Sequence, residues 1–348
     1  MLQKVRSSMN RCSLVLFTTV LVMTPAVLAE TPSPALLVLN KEGSLALIDP
    51  GNGQVVGRAP TGADPHEVAV SSDGKLAFTS NYGAGRPGSE GHTISVIDIA
   101  AQKELHRVDL TPLRRPHGLF FTDGKLYFTA ESNKAIGRYD PATNKIDWVL
   151  GTGQNTTHMV LLNRDRTTIF TSNIGSDSIS IFQRGNGPDS WNQTVVPVGK
   201  GPEGFDLSPN EKELWVAHSG DGKVSVIDLP RGKVVGTIDV HTTRSNRLKF
   251  TPDGKLVLIS DLGTGDLLVL DAGTHNERKR MNLGHGVAGI LITPDSSRAY
   301  VAVTGDNNVA VVNLNNLAVE GRLHPGNGPD GMAYLEEVVP PAVIECLR

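Results

Sequence analysis

A segment of about 44 residues recurs along this chain, and it constrains the fold more than any other feature. In the copy at residues 64–81, apolar and small residues alternate on both sides of Asp73-Gly74, which is the pattern of two strands joined by a tight turn. Further copies open near residues 115, 156, 201, 244, 286 and 328. A period of this length is typical of the four-stranded blade of a β-propeller. The sequence therefore predicts an all-β, seven-bladed β-propeller.

The two ends of the repeat array complement each other. Residues 36–59 contain three strands but lack the innermost one, whereas residues 329–335 supply one strand and no more. We therefore expect the C-terminal strand to join the three N-terminal strands in a closing blade. Closure of the ring removes the exposed strand edges that an open sheet would have to protect. The predicted result is one propeller domain over residues 30–348.

The first 29 residues have the features of a secretory signal peptide. Lys4, Arg6 and Arg11 precede or flank an apolar run at residues 14–23, and small residues stand where a signal peptidase would cleave, after about Ala29. A membrane anchor is the alternative, but the apolar run is too short to cross a bilayer. We expect a periplasmic or secreted protein whose mature chain has no membrane span.

Charge and cysteine content narrow the choice of partner and of stabilising bonds. The formal net charge is −3, and removal of the three basic residues of the leader makes it about −6. An acidic chain is a poor partner for nucleic acid, which requires a basic face. Cys346 is the single cysteine after residue 29, so an internal disulfide is excluded and the fold must rely on packing. We expect a monomer.

Two short motifs carry a resemblance to a known family. The third strands of several repeats read Ser-Val-Ile-Asp, as at residues 95–98 and 225–228, and a turn reads Thr-Pro-Asp-Gly-Lys at residues 251–255. These repeats resemble the YVTN-repeat, YncE-like β-propellers, which are secreted or periplasmic, and the likeness covers essentially the whole mature chain. The family's relatives imply several activities: propeller lactonases, a haem-binding propeller of nitrite reductase, and non-catalytic binding modules. Residues 126–143 also resemble one blade of the streptogramin lyases.

The propeller geometry indicates where a site would lie. The first strand of each blade starts at the top face and the second strand returns to it, so both positions reach the top mouth of the channel. The first ring of such positions contains His66, His117, His158, Glu203, Asn246, Ala288 and Asp330. The second ring contains Asn81, Glu131, Asn173, His218, Asp261 and Thr304, with Asn40 nearby. Turn capping would account for the Asn and Asp residues, but it accounts poorly for three successive histidines and a glutamate.

The histidines allow three interpretations. His66, His117 and His158, with Glu203 on the next blade, are the candidate ligands of a divalent metal, because imidazole and carboxylate suit such an ion. A metal-free site is the second interpretation, with a histidine as general base and Glu203 or Glu131 as its partner. In the third interpretation, each histidine holds a blade junction by a hydrogen bond to a loop carbonyl. Apart from the metal, no cofactor is indicated.

Basic residues on the same face favour an anionic ligand carrying a carboxylate or phosphate. These residues are Arg114, Arg115, Lys200, Arg244 and Arg247. The glycine-rich segment at residues 82–92 is either a lid over the mouth or an idle surface loop. The side chains expected to bind the ligand are Asn81, Arg115, Glu131, Asn173, His218, Asn246, Arg247, Asp261 and Asp330.

Two functional hypotheses follow. In the first, the protein is an exported enzyme that acts on a small, anionic molecule by lactone hydrolysis or a lyase step, with His66, His117, His158 and Glu203 as catalytic residues. In the second, it is a non-catalytic propeller that binds a protein or polymer. A dense polar cluster at the mouth favours the enzyme, whereas an apolar patch on the outer or bottom face would favour the binding module.

Overall fold

The computed structural model describes residues 33–84, 88–187 and 189–336 of the chain. The predicted signal peptide and Cys346 lie outside the described residues. No helix in the described ranges has both the length and the apolar character needed to cross a membrane.

Within these residues, 28 strands form seven antiparallel sheets of four strands each, which confirms the predicted all-β, seven-bladed propeller. The closing blade contains β1 (Ala35–Asn40), β2 (Ser44–Ile48), β3 (Val55–Pro60) and β28 (Pro329–Leu335). Blades 1 to 3 contain β4 (Pro65–Val70), β5 (Leu76–Gly83), β6 (Glu90–Asp98), β7 (Lys103–Asp109), β8 (Pro116–Thr122), β9 (Lys125–Ala130), β10 (Ala135–Asp140), β11 (Lys145–Gly151), β12 (Thr157–Leu162), β13 (Thr168–Asn173), β14 (Ser178–Arg184) and β15 (Trp191–Pro197).

Blades 4 to 6 contain β16 (Pro202–Leu207), β17 (Glu213–His218), β18 (Lys223–Asp228), β19 (Lys233–Asp239), β20 (Ser245–Phe250), β21 (Leu256–Asp261), β22 (Asp266–Asp271), β23 (Glu277–Asn282), β24 (Val287–Ile292), β25 (Arg298–Val303), β26 (Asn308–Asn313) and β27 (Ala318–Leu323). Short 3-10 turns follow the second strands of blades 2, 3 and 6, at Glu131–Asn133, Ile174–Ser176 and Thr304–Asp306.

The ring closes as the sequence predicts. The C-terminal strand β28 pairs antiparallel with β1, with Leu36 opposite Tyr334 and Val38 opposite Met332. The closing blade therefore has the order β28-β1-β2-β3, in which the last described strand is the innermost. Its formation joins the two ends of the described chain and gives the closing blade the same four strands as the other six blades.

The hydrophobic core is divided among the junctions between blades. Each of seven buried apolar clusters joins two neighbouring sheets, as in the cluster of blade 1 and blade 2 residues around Phe78 and Phe128. A sheet that packs on both faces needs apolar side chains on both, and this explains the nearly continuous apolar runs of the second and third strands. Face-to-face packing of the sheets thereby fixes the position of every inner strand.

Every inner strand contains a β-bulge near its start. In blade 1 the pairing breaks between Pro65 and Val68, so that His66 and Glu67 together oppose the single residue Ser80. The inner strands of the other six blades show the same break at the equivalent place. A bulge re-aims side chains and releases one backbone N–H from the ladder.

In blades 1, 2, 3 and 5, a serine or threonine hydroxyl accepts a hydrogen bond from the N–H group that the bulge releases. Thr129 accepts a hydrogen bond from the backbone N–H of Gly118 at 2.9 Å and donates to the carbonyl of His158, on the next blade, at 2.7 Å. Ser172 makes the equivalent pair of bonds one blade further along. The hydroxyls therefore tie the start of one inner strand to the start of the next.

Gly118 permits a close approach of the inner strands of blades 2 and 3. A Cβ atom on this residue would lie 2.7 Å from the Cα of Met159 and 2.8 Å from the carbonyl oxygen of His158. Backbone atoms cannot move aside as a flexible side chain can. The glycine thus helps to bring His117 and His158 together.

We expect Gly118→Ala to destabilise the fold by about 1–3 kcal/mol, because the added methyl group forces two inner strands apart. Gly151→Ala is the matched control, since a Cβ there meets no atom within 4 Å. Chemical denaturation measures both free energies of unfolding. Equal stability of the two variants would show that the strands do not need this close approach.

Candidate functional site

A cavity of about 460 Å³ opens at the end of the channel where the inner strands begin. We call it the funnel. All seven residues of the predicted first ring line it: His66, His117, His158, Glu203, Asn246, Ala288 and Asp330. The bulge at the start of each inner strand places these side chains at the mouth of the channel.

The second ring lies one residue later than predicted in most blades. The funnel is lined from the ends of the second strands by Lys41, Tyr82, Glu131, Ile174, Ser219, Leu262 and Thr304. Of these residues, only Glu131 and Thr304 were predicted from the sequence. Successive residues of a strand point to opposite faces, so a shift of one residue exchanges the funnel for the blade interior.

Asn81, Asn173, His218 and Asp261 do not line the funnel, and their positions do not support their predicted role in ligand binding. Each is buried and hydrogen-bonds its own blade or the loop that enters it. Asp261 accepts hydrogen bonds from the backbone N–H groups of Thr243 and Arg244, and Asn81 accepts one from the N–H of Gly62. The turn-capping alternative fits Asn81, Asn173 and Asp261, and Asn40 behaves similarly. His218 accepts a hydrogen bond from the backbone N–H of Gly199 and lies 2.9 Å from Asp221.

The three histidines form a continuous row across blades 1 to 3. Nδ1 of His66 lies 3.2 Å from Nε2 of His117, and the rings of His117 and His158 are 3.7 Å apart between centroids with an interplanar angle of 35°. His117 and His158 retain only 3% and 6% of their exposed surface. The prediction that these histidines come together is therefore matched by the geometry.

Basic and acidic groups flank the two ends of the row differently. At the His66 end, Nζ of Lys41 lies 3.0 Å from Nε2 of His66 and 3.0 Å from a carboxylate oxygen of Asp330. At the His158 end, Nδ1 of His158 lies 2.6 Å from a carboxylate oxygen of Glu131. The histidine row therefore runs from an ammonium group to a carboxylate.

Glu131 is held in place by two further groups. The hydroxyl of Tyr82 donates to Oε2 of Glu131 at 2.7 Å, and the guanidinium of Arg115 donates to that hydroxyl while covering the Tyr82 ring. Burial would raise the pKa of Glu131, but the hydrogen bond and charge of His158, together with Tyr82 and Arg115, lower it. Burial and the adjacent Glu131 carboxylate raise the pKa of Tyr82, which stays a neutral donor.

Burial also determines the charge of the central histidine. It lowers the pKa of His117 well below its usual value, and the positive charges that His158, His66, Arg247 and Lys41 carry when protonated lower it further. His117 is therefore a neutral imidazole near pH 7. For Asp330, burial would raise the pKa, but Lys41, Arg247 and His66 lower it, so this carboxylate is ionised.

Two imidazole nitrogens in the row have no hydrogen-bond partner in the described part of the chain. They are Nδ1 of His117 and Nε2 of His158, both buried. Ligand atoms of His117, Glu131 and His158 lie within 4.8 Å of one another, so these three residues are the geometric candidates for a metal site. Glu131 thus takes the place that the sequence analysis gave to His66, which contacts His117 from the other side.

An ion pair across the channel forms the floor of the funnel. Arg247 of blade 5 donates to the carboxylate of Glu67 of blade 1, and its other amino group donates to Asn246 at 3.3 Å. Asn246 in turn donates to Glu203, whose carboxylate lies 4.0 Å from Nε2 of His158. Burial would lower the pKa of Arg247, but the charges of Glu67, Asp330 and Glu203 raise it.

The lower half of the channel differs from the funnel. Below the Glu67–Arg247 pair, a cavity of about 220 Å³ is lined mainly by apolar side chains such as Leu119, Met159 and Phe205. Arg247 borders both cavities. A polar ligand is therefore expected to enter and leave through the top mouth.

Arg115, Arg244 and Arg247 line the funnel, whereas Arg114 and Lys200 do not. Among the described residues, no ion pair or side-chain hydrogen bond engages the exposed guanidinium of Arg244. In the predicted lid segment, β5 extends through Gly83 and β6 begins at Glu90, so only a short connection remains. Residues 85–87 lie outside the described ranges.

Comparison with known proteins supports the fold and leaves the family open. No family model matches the chain. A curated relative, Antigen Lp49 of Leptospira interrogans, is 27% identical over 190 residues, which are 48% of this chain. The matched region covers only 40% of the length of that relative.

Solved structures with similar architecture include two proteins named for lactone chemistry. A Bacteroides fragilis protein provisionally assigned as a 6-phosphogluconolactonase has a TM-score of 0.72 at 16% identity, over 90% of this chain and 100% of that one. The periplasmic gluconolactonase PpgL of Pseudomonas aeruginosa has a TM-score of 0.70 at 16% identity, over 88% and 100%. At these identities the likeness shows that the chain shares the seven-bladed propeller fold of these proteins.

The buried neutral state of His117 predicts a pH dependence of stability. Its folded pKa lies below the unfolded value of 6.5, so its contribution is present above pH 6.5 and is lost as the pH falls towards the folded pKa. His117 changes the free energy of unfolding by at most about 1.4 kcal/mol per pH unit. We expect the free energy of unfolding to fall less steeply between pH 7.5 and 5 in His117→Gln than in the wild type.

His241→Gln is the control for this measurement, because the His241 side chain is 79% exposed. Denaturant titrations at several pH values give the slopes. If the free energy of unfolding changed with pH as steeply in His117→Gln as in the wild type, the assignment of His117 as a buried neutral imidazole would be contradicted.

Proposed function

We propose that this protein binds a small anionic lactone in the funnel and hydrolyses it. The observation that carries the proposal is the pair formed by Glu131 and His158. The ionised Glu131 carboxylate accepts a hydrogen bond from Nδ1 of His158 at 2.6 Å, so the neutral form of this imidazole has its lone pair on Nε2. That nitrogen has no partner in the described chain and belongs to a residue lining the funnel.

The reaction follows from these groups. Nε2 of His158 takes a proton from a water molecule, and the water oxygen attacks the carbonyl carbon of the lactone. The tetrahedral oxyanion then collapses, the ring C–O bond breaks, and the proton held on Nε2 passes to the departing alkoxide oxygen. The product is an open-chain hydroxy acid. Glu131 orients His158 and stabilises the imidazolium that forms during the reaction.

Basic side chains at the mouth of the funnel would bind the anionic group of the lactone. Within the described ranges, the Arg244 guanidinium has no ion pair or side-chain hydrogen bond, and Arg115 and Lys41 also line the funnel. Arg247 is already paired with Glu67, so its predicted role as anion ligand passes to Arg244. Guanidinium groups suit carboxylate and phosphate because they present several donors in one plane. The neighbour named for 6-phosphogluconolactone agrees with an anionic ligand, and the one named for gluconolactone agrees with lactone chemistry.

The non-catalytic alternative has less support. The large apolar side chains that are exposed in the described chain lie on the outer strands of five different blades: Leu105, Val149, Val195, Val235 and Val319. Such a distribution does not favour one apolar docking patch. We retain export to the periplasm or exterior as a proposal, on the ground of the leader sequence alone.

We expect the purified protein to hydrolyse glucono-δ-lactone or its 6-phosphate faster than buffer alone. His158→Gln should lower kcat/KM by at least about 100-fold, because a general base contributes a factor of that order. His241→Gln should leave kcat/KM unchanged. A continuous pH-stat assay, corrected for spontaneous opening, measures these rates. Absence of turnover of either lactone would overturn the proposed function.

Metal removal separates the two versions of the site. If His158 acts as general base without metal, treatment with a chelator leaves kcat/KM at its original value. A stoichiometric metal that is lost on chelation together with activity would instead assign His117, Glu131 and His158 as its ligands.

Substitution of Arg244 tests the anion site. We expect Arg244→Gln to raise KM for the phosphorylated lactone about tenfold, with kcat nearly unchanged, because one charged hydrogen-bond partner is lost from the ground state and transition state alike. KM for the unphosphorylated lactone should change little. The exposed Arg231, paired with Asp228 away from the funnel, supplies the control Arg231→Gln. Equal effects of Arg244→Gln on both lactones would contradict this role.

A further inference from the structure

We propose that the buried pair of Glu67 and Arg247 limits the ligands of the funnel to compact polar molecules, because it keeps alkyl chains out of the apolar lower half of the channel. The two residues thereby determine the class of substrate. The inference rests on the proposed function for the position of the ligand's anionic group at the mouth. The barrier itself rests on the geometry of the two cavities.

The two halves of the channel offer a ligand opposite surroundings. The funnel, of about 460 Å³, is lined mainly by charged and polar side chains, whereas the lower cavity, of about 220 Å³, is lined mainly by apolar ones such as Phe120, Ile290 and Met332. Arg247 borders both cavities, and Glu67 borders the lower one. A ligand that passed the pair could bury an apolar chain below it while its polar group stayed in the funnel.

From blade 1 to blade 6, the positions that can close the channel alternate between a long side chain and glycine. These positions are the second residues of the bulges, which around the whole ring are Glu67, Gly118, Met159, Gly204, Arg247, Gly289 and Gly331. A Cβ on Gly331 would lie 3.0 Å from the Cα of Glu67, and one on Gly204 would lie 2.6 Å from the Cα of Arg247. The glycines therefore let the strands that carry the pair approach their neighbours, and they leave the centre of the channel to the long side chains.

Each member of the pair is held at its backbone and at its charged group. The backbone N–H of Glu67 donates to the hydroxyl of Ser80 at 3.1 Å, and that of Arg247 donates to the hydroxyl of Ser260 at 2.9 Å. The guanidinium donates to the Glu67 carboxylate and to Asn246. The Arg247 and Glu67 side chains retain 6% and 15% of their exposed surface. An alkyl chain offers no replacement partner for either buried charge, so it does not separate them.

Binding of alkyl phosphates tests the barrier without any need for turnover. The phosphate group should occupy the basic mouth, and the length of the alkyl chain then reports whether the ligand reaches the lower cavity. Isothermal titration calorimetry gives the dissociation constants of ethyl and octyl phosphate. Their ratio within one protein cancels any change that a substitution makes in the binding of the phosphate group.

Replacement of both residues by glycine should open the barrier. Four other blades already have glycine at this position, and replacing one residue alone would leave the other charge buried without its partner. In Glu67→Gly/Arg247→Gly, the ratio of the ethyl to the octyl dissociation constant should be at least about tenfold larger than in the wild type. Burial of two further CH₂ groups is sufficient for a gain of this size.

Met159→Gly is the matched control, because Met159 occupies the equivalent position in blade 3 but lines only the lower cavity. Its replacement enlarges that cavity and leaves the pair in place, so the ratio should stay at the wild-type value. Chemical denaturation verifies that each variant is folded. A further measurement needs no variant: in the wild type, hexyl and octyl phosphate should have dissociation constants within about twofold of each other.

The outcomes separate this inference from the proposed function. A wild-type protein that gains about fourfold in affinity for each CH₂ group between hexyl and octyl phosphate would overturn the inference, even if lactones are hydrolysed. Octyl phosphate that binds the double variant no more tightly than the wild type would also overturn it, as would an enlarged ratio in Met159→Gly. Conversely, the predicted ratios in a protein without lactonase activity would leave the barrier established and remove only the proposed function.

Discussion

The position of the site depends on a β-bulge that every inner strand repeats at the same place. A regular strand would turn one of two successive residues away from the channel. The bulge sets two residues of the inner strand against one of the neighbouring strand, and both then lie near the channel. The released N–H requires a partner, and in blades 1, 2, 3 and 5 a serine or threonine hydroxyl supplies it. A local backbone irregularity, repeated by the fold, thus becomes a ring of functional side chains.

The side chains of the two residues in each bulge lie at different depths of the channel, and this explains why one channel contains two different cavities. The first residue of each pair lines the funnel. The second is a glycine in four of the seven bulges, and in blades 1 and 5 it is Glu67 or Arg247. These two long side chains meet across the space that the glycines leave, and their pairing offsets the cost of burying either charge alone. The resulting floor separates a polar funnel from a lower, apolar cavity.

The repeat period predicted the blade number and the whole first ring, because the spacing of the anchors is independent of which side chain each blade carries. The strands at the two ends of the array predicted the closing blade. The prediction of the second ring was wrong in most blades, for a physical reason. Asn81, Asn173, His218 and Asp261 attracted attention as polar residues at strand ends, but their polarity serves the loop backbone. A shift of one residue in the closing blade and in blades 1, 3, 4 and 5 would have replaced these residues by their C-terminal neighbours, whereas Glu131 and Thr304 were already at the funnel. Tyr82 and Lys41 would then have been found, although their contacts with Glu131 and His66 depend on side-chain conformations that no spacing specifies.

The repeat also explains how equivalent positions acquire different chemistry. His117 and His158 occupy the same place in adjacent blades, and on an isolated repeat they would be interchangeable. Their neighbours break this equivalence, because the ends of the second strands supply an ammonium at Lys41 and a carboxylate at Glu131, on either side of the row. A symmetric fold can therefore place two copies of one residue type in different electrostatic surroundings by changing only the groups at the two ends of the row.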